Sequence, residues 1–110
     1  MNIKEFICAI QNRPQMYVEE TKLDYIYYLV IGFLGSNLMN KGVSNIDQMY
    51  KSHFSNWILD WVKKSVNENY ERSNFFWYHI LRDVTDNEDE AVQLFFKLSN
   101  MFFEEVEARR

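Results

Sequence analysis

Phe54-Ser55-Asn56-Trp57-Ile58-Leu59-Asp60-Trp61-Val62-Lys63-Lys64-Ser65-Val66 is the stretch that decides the fold. Phe54, Trp57, Ile58, Trp61, Val62 and Val66 recur at helical spacing and make one continuous apolar stripe along an α-helix. A half-buried strand would instead alternate apolar and polar residues, and such runs are few in this chain. The stripe predicts a helix from about His53 to Asn67.

Working outward, glycine and proline are scarce, with three Gly and one Pro in 110 residues, so long helices with short connections follow. Upstream, Ile3, Phe6, Ile7 and Ile10 share one face of a first helix, about Ile3 to Gln11. Arg13-Pro14 ends it, because the residue before proline is pushed out of the α region. Pro14 to Val18 reads as an extended link whose Met16 and Tyr17 fold back on the core. A second helix starts near Thr21 or Lys22 and runs to about Asn40. Its apolar residues lie nearly all round, which predicts a buried central helix. Gly32 and Gly35 within it each cost about 1 kcal/mol of helix propensity against alanine. Close approach of another helix would offset that. Asn40-Lys41-Gly42 reads as its stop, with Gly42 in the left-handed position.

Val43 to Ser52 reads as a polar connection with a helical turn at Ile46 to Tyr50, and Asn67 to Asn74 as a loop. A short helix from Phe75 to Val84 turns Phe76, Trp77, Ile80, Leu81 and Val84 inward. Thr85-Asp86-Asn87-Glu88 has the form of a capping box opening a last helix that runs to about Glu107. Ala91, Leu94, Phe95, Leu98, Met101, Phe102 and Val106 form its expected buried stripe. Arg109 and Arg110 close it at the negative end of its dipole. The expectation is an all-α fold: one helical domain over residues 1–110, a bundle of about five helices around a long central apolar helix.

Composition narrows the function. The single cysteine, Cys8, excludes an internal disulfide, and its apolar neighbours predict a small buried hydrophobe. The N-terminus has no basic region leading into an apolar run and cleavage site, so a cytoplasmic protein is expected. The apolar run from Tyr25 to Met39 is shorter than the roughly 18 residues of a spanning helix, so no membrane partner is expected. His53 and His79 lack the i, i+4 partner of a helical metal site. The adjacent acids do not oppose each other as catalytic carboxylates do. Nothing resembles a nucleophile elbow or a phosphate loop. No enzyme activity, cofactor or metal is expected.

Charge is unevenly spread over a net −4. From Asp83 to Glu107 stand Asp83, Asp86, Glu88, Asp89, Glu90, Glu104, Glu105 and Glu107 against one base, Lys97, so this segment carries about −7. That argues against nucleic acid, which needs a cationic face. It suits a basic protein partner, and it equally suits acids that merely solvate a helix exterior. The eight acids are the candidate partner-binding residues. Asp86, Glu88, Asp89 and Glu90 also serve the helix dipole; Glu104, Glu105 and Glu107 lie at its unfavourable end, which motivates a partner more strongly. The next candidate surfaces are the Arg13 to Asp24 link and the Lys41 to Lys51 connection.

Arg13-Pro14-x-Met16-Tyr17 after a short helix, the long apolar helix with Gly32, Phe54-x-x-Trp57-Ile58, Trp77-x-x-Ile80-Leu81 and Glu90-Ala91-x-x-x-Phe95-Phe96-x-Leu98-x-x-x-Phe102 span most of the chain. Together they resemble a family of small bacterial immunity proteins from contact-dependent inhibition and related polymorphic toxin systems. Val18-Glu19-Glu20 stands where that family has a glycine after Met-Tyr. An Arg-Pro-x-Met-Tyr run also occurs in the ATPase domain of type II topoisomerases, but there glycine-rich nucleotide loops follow it, and here the third and last glycine is Gly42. The resemblance implies a protein that binds and neutralises the toxic domain of a sibling-cell toxin, often a basic nuclease, to which an acidic surface can present the charge of the substrate. The alternative is a non-catalytic helical adaptor or regulatory subunit.

Overall fold

The computed structural model describes residues 1–38 and 45–109, and the stop expected at Asn40 to Gly42, the first residues of the Lys41 to Lys51 connection, and Arg110 lie outside them. The described residues form an all-α bundle: α1 (Ile3–Asn12), a 3-10 turn (Pro14–Met16), α2 (Leu23–Leu38), α3 (Asn45–Ser65), α4 (Trp77–Val84) and α5 (Glu88–Ala108). None of these helices is long and apolar enough to cross a membrane.

The centre is held by α5 and α3, not α2: α5 packs against all four other helices, and so does α3. α3 also begins eight residues before the expected start, because Ile46 and Tyr50 extend the inward line Phe54, Ile58, Val62 at every fourth residue. That line faces the core. Trp57 and Trp61 flank it half-buried, and Val66 lies beyond the helix end and is exposed. The tryptophan stripe is therefore the shoulder of the helix. Trp57 packs edge-on against Phe102 of α5, with centroids 5.9 Å apart.

α2 buries only one side, through Leu23, Ile26, Val30 and Leu34. Tyr25, Tyr28, Ile31, Gly32 and Gly35 face outward. A Cβ added at either glycine would meet nothing within 4 Å, so among the described residues no helix packs closely there.

α1 begins with a capping box: Asn2 Oδ1 accepts from the Glu5 amide, and Glu5 Oε1 accepts from the Asn2 amide. Its buried positions are Ile3, Ile7 and Ile10. Cys8 lies one helical step round from Ile7 and is exposed, contrary to its apolar neighbourhood, with Asn12 Nδ2 3.5 Å from its Sγ. Pro14 opens a 3-10 turn instead of an extended link. Tyr17 does fold back, edge-on to Phe6, but Met16 is exposed.

The cap of α5 is Asn87, whose Oδ1 accepts from the Glu90 amide, while Glu90 Oε2 accepts from the Asp86 amide. Thr85 is not the cap; its hydroxyl donates back to the Leu81 carbonyl at the end of α4. The buried stripe of α5 keeps Ala91, Phe95, Leu98 and Phe102 of the expected one and widens by one step round the helix. Val92, Phe96, Ser99 and Phe103 are inside, and Met101 is exposed.

Three helix starts take a partner from another helix. Asp47 Oδ1 on α3 accepts the Ile3 amide at 2.6 Å, Glu88 Oε1 on α5 accepts the Leu23 amide at 2.6 Å, and Ser55 Oγ on α3 accepts the Trp77 amide at 2.9 Å. Each satisfies a donor that its own helix leaves unpaired.

Candidate interaction surface

The eight acids from Asp83 to Glu107 do not form one surface. Asp83 accepts from the Tyr70 hydroxyl at 2.7 Å and pairs with Arg72 Nη1 at 2.6 Å, tying the loop before α4 to that helix. This neighbourhood pushes the Tyr70 hydroxyl up to about 12, through burial first and the adjacent Asp83 second. Glu88 pairs with Arg82 Nη1 at 2.7 Å while capping α2. Glu105 Oε2 accepts from Trp57 Nε1 and its Oε1 from Arg109 Nη2, each at 2.6 Å. Glu107 pairs with Lys4. Each of these four acids therefore has a partner within the fold, while the side chains stay 35–44% exposed.

Asp86, Asp89 and Glu104 are exposed, and their carboxylates make no ion pair or hydrogen bond among the described residues. Glu90 is exposed, and among the described residues its carboxylate accepts from a backbone amide and makes no ion pair. Asp89 and Glu104 are fifteen positions apart on α5. Helical geometry puts them about 60° from each other round the axis and about 22 Å apart along it. The exposed Lys97 stands between them on the same side.

A charged junction joins α2, α4 and α5. Arg82 Nη2 lies 2.6 Å from Asp24 Oδ1, Nη1 reaches Glu88, and the Tyr78 hydroxyl also donates to Asp24. Tyr78 and then Arg82 hold the Asp24 carboxyl below its ordinary value. Arg82 and, against some burial, the Leu23 amide do the same for Glu88. This junction holds helices together, its two carboxylates sharing one guanidinium.

The clefts of the surface were not foreseen, and two of them carry aromatic side chains beside a carboxylate. One, about 590 Å³, lies between α3 and the end of α5 and is lined by residues including His53, Trp57, Asp60, Phe102, Glu105 and Arg109. The other, about 400 Å³, lies between the Pro14–Met16 turn and α2 and is lined by Tyr17, Val18, Glu19, Tyr25, Tyr28 and Leu29. A sequence cue for the second existed. Tyr25, Tyr28, Gly32 and Gly35 are spaced by three, four and three, which sets them along one side of a helix. Small residues and tyrosines there describe an open face as well as they describe helix packing.

His79 is half-buried with its ring edge-on to Tyr78, and His53 is exposed. Among the described residues no three His, Cys, Asp or Glu side chains gather where a metal could sit. No protein-family model, curated protein or solved structure matches this chain.

Proposed function

We propose that this chain is an immunity protein, which binds a cognate bacterial toxin domain and neutralises it through the acidic side of α5. The partner is a basic domain of the kind that grips phosphates, such as a nuclease. The observation that carries the reading is the set of carboxylates on Asp86, Asp89 and Glu104, exposed and unpaired among the described residues. With Glu90 they flank an exposed helix face about 22 Å long. A standard interface of about 800 Å² per partner is about 30 Å across, wide enough to engage both ends at once. Charge complementarity of this kind speeds encounter and sets specificity.

A helical adaptor or regulatory subunit is the second reading, favoured by the outward Tyr25, Tyr28 and Ile31 of α2, which are 42%, 70% and 40% exposed. Exposed aromatic residues on one helix face suit a protein contact of either kind. Co-expression with a candidate toxin domain from a neighbouring gene separates the two. Immunity requires a stoichiometric complex and a toxin that no longer acts. Free toxin with undiminished activity beside the folded chain rejects the proposal.

A further inference from the structure

The cleft between the Pro14–Met16 turn and α2 has the chemistry of a cation site. Three of its six lining residues are tyrosines. Val18 is buried beneath it, whereas Tyr25, Tyr28 and Glu19 are exposed. Two of the rings are braced from behind: Tyr17 lies edge-on to Phe6 at 5.7 Å, and Tyr28 edge-on to Tyr27 at 5.3 Å. None of the three hydroxyls makes a hydrogen bond among the described residues, and the Glu19 carboxylate has no ion pair there. The neighbouring base, Lys22, is held by Glu20 at 2.9 Å. Its ammonium also stands 5.9 Å from the centroid of the Tyr25 ring, although Lys22 itself does not line the cleft.

We infer that this cleft is a docking site for a basic side chain of a partner polypeptide, its charged group received among Tyr17, Tyr25 and Tyr28 beside the Glu19 carboxylate. Tyrosine faces attract guanidinium and ammonium groups, and the attraction grows where apolar neighbours such as Val18 and Leu29 displace water. An unpaired carboxylate at the rim adds a charge-assisted hydrogen bond. An apolar occupant would leave Glu19 unmet and gain nothing from three unspent hydroxyls. Farther along α2, a Cβ added at Gly32 or Gly35 would meet nothing within 4 Å among the described residues. The site is on α2 and the link before it, apart from the α5 acids, so either can fail without the other.

The test is a titration of the isotope-labelled full chain, followed by amide NMR, with the peptide acetyl-Gly-Arg-Gly-amide. Its counterpart carries citrulline, a neutral isostere of arginine. The expected result is a saturating shift confined to residues 17–29 with the arginine peptide and about tenfold weaker binding of the citrulline peptide. Glu19→Gln and Tyr28→Ala, both at exposed positions, weaken the arginine response while the rest of the spectrum stays in place. Equal response to the two peptides, shifts centred elsewhere, or no response overturns the inference. So does broadening at Tyr25, Tyr28 and Gly32 that grows with protein concentration before peptide is added, since a second copy would then fill the cleft.

Discussion

The Glu88 carboxylate closes the first turn of α2 by accepting the Leu23 amide at 2.6 Å, across 65 residues of chain. The same carboxylate pairs with Arg82, whose guanidinium also reaches Asp24 on α2. An acid that charge counting assigns to a partner is thus spent on assembling three helices.

Glu88→Ala should destabilise the fold by about 1–3 kcal/mol, the range for losing a helix cap together with a charge-assisted hydrogen bond. Glu88→Gln should cost less, because its amide oxygen can still accept from Leu23. Urea unfolding of the two variants checks the order. Equal stability of Glu88→Ala and the parent would mean that the cap contributes nothing.

Stability should fall in acid partly through this junction. The Asp24 and Glu88 carboxyls are both held below their ordinary values of 3.8 and 4.5. A carboxyl lowered on folding stabilises the protein fully above its unfolded value and loses that contribution as pH falls through the folded one. The loss therefore begins near pH 4.5 and deepens below it. In the Asp24→Asn/Glu88→Gln double variant the decline between neutral pH and pH 3 should be shallower than in the parent. Parallel declines in denaturant midpoint would remove the junction from the acid response.

Phe54→Ala should cost about 3–5 kcal/mol, as expected for a phenyl ring lost from a sealed core, since Phe54 is fully buried. Trp57→Ala should cost clearly less, although the apolar stripe alone ranks the two together. Trp57 is half-buried, and its main attachments are Glu105 and Phe102. Equilibrium unfolding that placed Trp57→Ala beyond Phe54→Ala would reverse this assignment.

Helix existence and order were legible in the sequence because apolar spacing sets both. Boundaries were less so. The turn at Ile46–Tyr50 continues into α3, and Asp47, polar in sequence, is buried there where it receives the Ile3 amide. No local pattern shows that pairing. The choice of central helix failed for a related reason. Tyr28 and Ile31 count as apolar in any periodicity, yet they face solvent, since burial of a helix face depends on what folds against it. The acidic segment was legible as charge. Which acids remain free was not, because Arg72, Arg82 and Lys4 reach theirs through the tertiary fold.

If the proposed function holds, the Asp89→Lys/Glu104→Lys double variant should bind the toxin domain more slowly and with a flatter dependence on salt, while its helical content stays near the parent's. The reversal at Asp89 costs about 0.6–2 kcal/mol of helix-dipole stabilisation, since a favourable charge is replaced by an unfavourable one. Unchanged association rates across a salt series would remove the α5 acids from the interface.

Cys8 should react with a thiol reagent in the native protein, because its side chain is exposed. Complete labelling without denaturant is the expected readout. Labelling that required unfolding would restore the buried reading drawn from its apolar neighbours.

The long-range caps also bear on how the chain comes off the ribosome. At about 5–20 residues per second, the 65 residues between Leu23 and Glu88 take roughly 3–13 s to make. Throughout that interval α2 exists with its first amide unclaimed, and an isolated helix of its length is marginal in water. Synthesis order and stabilisation order therefore run opposite ways here. Nascent chains arrested just before Glu88 should be cleaved readily by protease within α2, and those arrested after α5 has emerged should resist. Early resistance would show that α2 holds without its distant partner.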